Sequence, residues 1–121
     1  MPVLAIFSGP SITKDQYEAL RKEVGWEASH APGGVIHVAS FDEKGGLHVA
    51  DVWESADLMN QFVQGRLLPA MQKLGVAAPA VEVYPVHNAN AYPAVTRYVM
   101  KVAKKSPAKA KASPKKGKKK K

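Results

Sequence analysis

The chain has no cysteine. Disulfides and thiolate chemistry are therefore excluded, and a reducing, cytoplasmic setting fits. No apolar run approaches the ~20 residues of a membrane helix, so no membrane partner is expected. The opening Met1-Pro-Val-Leu-Ala-Ile-Phe7 lacks the basic region and the length of a signal peptide. No Walker loop, dinucleotide fingerprint, Gly-x-Ser-x-Gly elbow, zincin helix or EF-hand loop occurs. Nucleotide hydrolysis, serine hydrolysis and a metal site are not expected, and neither is a bound cofactor. Acidic residues are also missing from one end: residues 97–121 carry none.

That last absence divides the chain. Residues 1–96 hold six Lys/Arg and ten Asp/Glu, a net charge of −4. Residues 97–121 hold Arg97 and eleven lysines, a net charge of +12. The overall +8 thus describes neither part. We expect a folded domain over 1–96 and a disordered Lys/Ala/Pro-rich tail over 97–121.

The domain is built around a predicted hairpin. Gly34 to Phe41 and Leu47 to Trp53 are runs rich in β-branched and aromatic residues, separated by Asp42-Glu-Lys-Gly-Gly46. A five-residue loop pairs Phe41 with Leu47, Ala39 with Val49, His37 with Asp51 and Val35 with Trp53. Alternation then gives one face of Ile36, Val38, Ala50 and Val52. The other carries Phe41, Leu47, Ala39, Val49, Trp53 and the His37/Asp51 pair. A loop of even length would split these sets. The aliphatic face is expected to pack under helices.

Elsewhere the signals are local. Val3 to Phe7 predicts a strand buried on both faces. Thr13 and Gln16 resemble a capping box, and Tyr17, Leu20 and Val24 give a helical stripe ending at Gly25. Ser55 suits an N-cap, followed by the stripe Leu58, Met59, Phe62, Val63, Leu67 and Leu68. Pro69 predicts a kink, with the helix continuing to Leu74 and stopping at Gly75. Val81 to Val86 predicts a last strand, at an edge because Pro85 cannot donate to a ladder. Val95, Tyr98, Val99 and Val102 suggest a short helix to about Ala103.

The order strand, helix, strand, strand, helix, strand is the α+β, ferredoxin-like βαββαβ arrangement. Two helices cover one face of its sheet. The face left bare, expected to be the one with Phe41, Trp53 and His37, is too apolar to stay in water. A second copy stacking sheet to sheet would close a cavity over it, so a homodimer is expected.

The segments Leu47-His-Val-Ala-Asp-Val-Trp-Glu-Ser-Ala-Asp-Leu-Met-Asn-Gln-Phe62, Arg66-Leu-Leu-Pro-Ala-Met71 and Val81-Glu-Val-Tyr-Pro-Val-His87 resemble the dimeric α+β barrel superfamily, which includes antibiotic-biosynthesis monooxygenase-like proteins. The resemblance covers roughly residues 2–93. It implies that fold and a cofactor-independent, monooxygenase-like activity, although the scaffold hosts unrelated jobs. The haem-degrading members share an Asn on the first strand and a Trp and a His on the helix after the Trp-x-Ser turn. Here Val3 to Phe7 has no Asn, the helical aromatic is Phe62, and no His lies between Ser55 and Leu74. Haem oxygenation is therefore not expected.

His37 and Asp51 form the candidate catalytic pair. A carboxylate beside an imidazole fixes its tautomer and suits a general base acting on an acidic carbon or phenol. Trp53, Phe41, Tyr84 and His87 are candidate walls for a small aromatic substrate. The plain alternative is a cross-strand polar pair in a dimer core, worth ~0.2–1 kcal/mol. His30 and His48 are read as a solvated loop residue and a turn-rim residue.

The tail offers a different function. Ser106-Pro-Ala-Lys109 and Ser113-Pro-Lys-Lys116 resemble the tails of linker histones and bacterial histone-like proteins. Lys109, Lys111, Lys115, Lys116 and Lys118 would bind DNA or RNA phosphates without sequence preference, placing the protein at the nucleoid. Two readings thus stand together: a small-ligand enzyme or binder, and a dimeric scaffold with a nucleic-acid-binding tail. A solvated tail that aids solubility is the plain alternative to the second.

Overall fold

The computed structural model describes residues 1–100. The chain divides into a unit of Met1–Ala91 and a second of Tyr92–Lys121. In the second, Pro93–Arg97 forms a 3₁₀ turn that ends before Tyr98, so the helix expected from Val95 to about Ala103 is not formed over 98–100. Val102 and the tail lysines Lys109, Lys111, Lys115, Lys116 and Lys118 lie outside the described residues.

The first unit runs β1 (Val3–Gly9), α1 (Lys14–Val24), β2 (Gly34–Phe41), β3 (Leu47–Trp53), α2 (Ala56–Phe62), a π-helical turn (Val63–Leu67), α3 (Leu68–Leu74) and β4 (Ala80–Pro85). The strand order is β2-β3-β1-β4, with every neighbouring pair antiparallel. This is the α+β, ferredoxin-like fold, with β4 at an edge.

Local chemistry sets the boundaries. The Thr13 hydroxyl accepts from the Gln16 amide, and the Gln16 side chain accepts from the Thr13 amide, both at 3.1 Å. Two orphan donors of α1 are thereby satisfied. Ser55 caps α2 by accepting from the Leu58 amide at 3.1 Å. The expected break at Pro69 takes the form of the π turn just before it, in which the Leu68 N–H reaches back to the Val63 carbonyl. Pro69 then sits in the first turn of α3, where no N–H is needed. In the hairpin loop, Asp42 accepts from the Lys44 and Gly46 amides, both at 2.9 Å, and meets His48 Nε2 at 2.8 Å.

The predicted pairs Phe41–Leu47, Ala39–Val49 and His37–Asp51 are all present. The fourth needs correction. Gly34, not Val35, faces Trp53, because a β-bulge lies between Gly34 and Ile36. The extra residue lets the strand bend where it enters the sheet.

The assignment of faces is inverted. Cross-strand rows place Gly34, Trp53, Val3 and Pro85 on one face, followed by His37, Asp51, Ala5 and Val83. This is the face the helices cover. Tyr17, Leu20, Ala70 and Met71 pack with Leu47 and Val49, while Met59 packs with Val3, Ala5 and Trp53. The opposite face carries Ile36, Val52, Leu4 and Tyr84 in one row and Val38, Ala50, Ile6 and Glu82 in the next. Ile36, Val38 and Tyr84 are 40%, 53% and 50% exposed. The reason is size. Trp53, Leu47 and Phe41 offer the bulky helices more apolar area than a patch of Val, Ile and Ala. The polar pair in the middle finds a partner on α1, as described below. β1 is correspondingly not buried on both faces: Val3 and Ala5 are buried, while Leu4 and Ile6 are half-exposed.

Gly33 sits where the loop meets α2, with φ of +89°. A Cβ there would lie 2.6 Å from Leu58 Cδ1 and 2.7 Å from its Cβ. Gly33→Ala therefore combines left-handed strain with a clash against a helix. We expect a loss of about 1–3 kcal/mol in urea unfolding, with the native fold retained.

Candidate functional site

A cavity of about 280 Å³ lies between the helix-covered face and the helices, inside one chain. Its walls come from β2 and β3 (His37, Asp51, Trp53), α1 (Tyr17, Leu20), the α1–β2 loop (Trp26, His30) and the π turn (Val63, Leu67). The volume is at the small end of ligand pockets, ~300–1,000 Å³. The cavity expected between two copies is instead found within the single chain, because the helices close the face that carries His37.

Its polar wall is a chain of four side chains. Asp51 is only 7% exposed. One carboxylate oxygen lies 2.7 Å from His37 Nδ1, and the other accepts from Trp53 Nε1 at 3.2 Å. A carboxylate can only accept, so Nδ1 is the nitrogen placed to donate to Asp51; in that tautomer Nε2 offers its lone pair. That lone pair is taken by the Tyr17 hydroxyl, at 2.8 Å. The Tyr17 and His37 rings are within 3° of parallel, with centroids 6.3 Å apart. With the hydroxyl 2.8 Å from Nε2, the two rings meet through their polar ends and not by face-to-face overlap. Burial, with a smaller contribution from Glu27, pushes the Tyr17 phenol up to about 12. The phenol therefore stays neutral throughout the neutral pH range.

Trp26 and Phe41 hold this arrangement from the sides. Phe41 meets Tyr17 edge-on at 5.8 Å, and Trp26 lies 5.8 Å from Tyr17 and 5.4 Å from His37. The first half of the loop that carries Trp26 and His30 is tied to the helices. Arg66, from the π turn, donates to the Val24 carbonyl at 3.0 Å and the Ser29 carbonyl at 2.8 Å. Arg21 donates to Glu27 at 2.7 Å. π turns often occur where a helix must aim a side chain out of step with its neighbours.

The sequence-derived candidates separate. His37, Asp51 and Trp53 converge on the cavity. Phe41 stands behind Tyr17 rather than on the wall. Tyr84 pairs with Leu4 on the open face, across the sheet from the cavity. His87 is exposed beyond the end of β4. His30 is an exposed loop residue, as expected, and borders the cavity. Tyr17 is the residue that sequence reasoning misses, because it reads as one position of an apolar stripe. Its signal is chemical: a buried phenol needs a partner, and the sheet beneath it offers an imidazole. Among the described residues, no three His, Cys, Asp or Glu side chains gather closely enough to hold a metal. No helix among them is long and apolar enough to cross a membrane.

No protein-family model and no curated protein matches this chain. Solved structures do. A candidate antibiotic biosynthesis monooxygenase from Chloroflexus aurantiacus is 21% identical with a TM-score of 0.54, covering 74% of this chain and 98% of its own. SnoaB, a cofactor-independent oxygenase from Streptomyces nogalater, is 13% identical with a TM-score of 0.54, covering 73% and 94%. A protein of unknown function from Nitrosomonas europaea, NE2512, is 16% identical with a TM-score of 0.57, covering 76% and 96%. Such distant likeness speaks for the fold alone: this chain has the fold of the antibiotic biosynthesis monooxygenase-like proteins.

Proposed function

We propose that the protein is a homodimer whose protomers each bind a small aromatic ligand with an acidic O–H or C–H in the cavity. The activity is cofactor-independent and monooxygenase-like. His37 acts as the general base, Asp51 orients it, and Trp53 packs on the ligand. The observation that carries this reading is the Asp51–His37 hydrogen bond at 2.7 Å in the wall of an apolar cavity. A base so placed removes a proton and leaves an electron-rich anion among aromatic side chains. The description of SnoaB as a cofactor-independent oxygenase on the same fold supports the class of activity.

The dimer is supported by the uncovered face. Ile36, Val52, Leu4 and Tyr84 form an apolar row across all four strands, and Val38, Ala50 and Ile6 extend it. A flat apolar surface of this kind suits an isologous sheet-to-sheet contact. A second reading, resting on the +12 charge of residues 97–121, is that the paired tails hold DNA or RNA through phosphate contacts.

Each part has its own test. His37→Gln keeps an N–H that can serve the buried Asp51 carboxylate and should leave the melting temperature within a few degrees of wild type. It should weaken binding of small phenols, such as 1-naphthol, at least tenfold by Trp fluorescence titration. Unchanged affinity would remove His37 from the site. Val38→Lys should convert a dimer at micromolar concentration into a monomer by light scattering. A wild-type chain that is already monomeric defeats the dimer. Deleting residues 101–121 should abolish a low-salt gel shift with duplex DNA and leave phenol binding intact. A truncated chain that still shifts the DNA counts against the tail.

A further inference from the structure

We propose that Tyr17 is the group that touches the ligand's acidic proton, passing its own proton to His37 as it receives the ligand's. The proposal rests on the cavity reading above and gives that reading its proton path.

Both nitrogens of His37 already have partners. Nδ1 faces Asp51 at 2.7 Å, and Nε2 faces Tyr17 Oη at 2.8 Å. Neither nitrogen is left over for a ligand. The imidazole side chain is 37% exposed, yet each of its nitrogens already has a hydrogen-bond partner. A ligand in the cavity therefore either displaces Tyr17 from Nε2 or works through it. Displacement would have to move a phenol that is 8% exposed and held by Trp26 and Phe41, each 5.8 Å away. It also packs with Leu20, Leu47, Val49 and Met71. Working through it requires no displacement, because Tyr17 lines the cavity and its hydroxyl already lies 2.8 Å from Nε2.

The proton balance is simple. The ligand's O–H or C–H bond breaks and its proton joins Tyr17 Oη. The original Tyr17 proton moves to His37 Nε2. The result is a ligand anion, a neutral tyrosine and an imidazolium beside the Asp51 carboxylate. No electron is transferred and no further reactant is needed. The two movements are coupled, because a free tyrosinate in this buried position is strongly disfavoured, with the phenol pushed up to about 12. Asp51, paired on its far side by Trp53, then receives the positive charge at hydrogen-bond distance. This resembles a serine–histidine–carboxylate arrangement in its logic, with the hydroxyl relaying a proton instead of attacking.

The test uses 4-nitrophenol, whose neutral and ionised forms absorb at different wavelengths. It is added to saturating full-length protein at a pH where the free phenol is mainly neutral. Wild type should bind it and raise the ionised fraction. His37→Gln should bind it more weakly and leave it neutral. Tyr17→Phe keeps the ring and its contacts but removes the hydroxyl. It should bind within about threefold of wild type while the ionised fraction of bound phenol falls at least tenfold. Tyr17→Leu also lacks the hydroxyl; it leaves a gap beside Trp26 and Phe41 and should bind more weakly, but the ionised fraction of the phenol it does bind should fall as in the Phe variant. If Tyr17 only holds His37 in place, both variants will ionise the bound phenol as well as wild type or better, because Nε2 is then free. That result overturns the relay and leaves His37 as the base. A wild-type protein that binds 4-nitrophenol without ionising it, or does not bind it, overturns both the relay and the base assignment beneath it.

Discussion

The carboxylate of Asp51 imposes the constraint on which the site depends. It is almost wholly buried, and a carboxylate removed from water without hydrogen bonds is one of the costliest groups a small domain can carry. Trp53 satisfies one oxygen and His37 the other. Both partners are fixed by the hairpin: Trp53 lies two residues along the same strand, and His37 lies directly opposite. A one-residue slip of β2 against β3 would turn His37 to the open face and leave the carboxylate half-satisfied. The Asp42 loop, with three hydrogen bonds to one side chain, holds that register from the turn end. Specifying the pairing and building the cavity wall are thus the same physical act.

Sequence reasoning reaches the order of elements, the caps, the hairpin pairs and the His37–Asp51 contact because all of these are local or set by alternation. It places the helices on the wrong face for an instructive reason. Uniformity is a poor criterion for the buried side, and the Ile36–Val38–Ala50–Val52 set is the uniform one. Burial is governed by area and by whether polar groups find partners. The other face has more apolar area in Trp53, Phe41 and Leu47, and its one polar pair is completed by Tyr17 from α1. That partner lies 20 residues from His37 in the chain, and nothing in either segment's periodicity announces it. The bulge at Gly34–Ile36 is equally hidden, since a bulge changes pairing without changing composition.

The cavity survives because several devices stop the helices from collapsing onto the sheet. The π turn ahead of Pro69 shifts the register between α2 and α3, so that Val63 and Leu67 border the space while Arg66 points to the loop. Arg66 replaces two carbonyl–water contacts with charge-assisted hydrogen bonds. It thereby joins the end of α1, the Trp26 loop and the helical layer into one frame. Gly33, pressed against Leu58, lets the same loop turn into β2 without pushing α2 outwards. Most of these groups touch nothing polar in the wall itself, yet the spacing of Tyr17, Trp26 and His37 depends on them.

The inversion of the faces also changes what a dimer can mean for this molecule. If the covered face were the interface, each site would need residues from both copies, and activity would follow the monomer–dimer equilibrium directly. With the cavity on the helix side, all four members of the polar chain come from one protomer. The apolar row of Leu4, Ile36, Val52 and Tyr84 lies on the reverse of the same strands. Pairing through that row acts on the site only through the sheet. Ile36 and Val38 flank His37, and Ala50 and Val52 flank Asp51, so restraining the outer residues restrains the strand segments that carry the dyad. A monomer would keep every contacting group and lose the stiffness behind them. An interface on that row, as proposed above, would bear on the precision of the site and not on its composition.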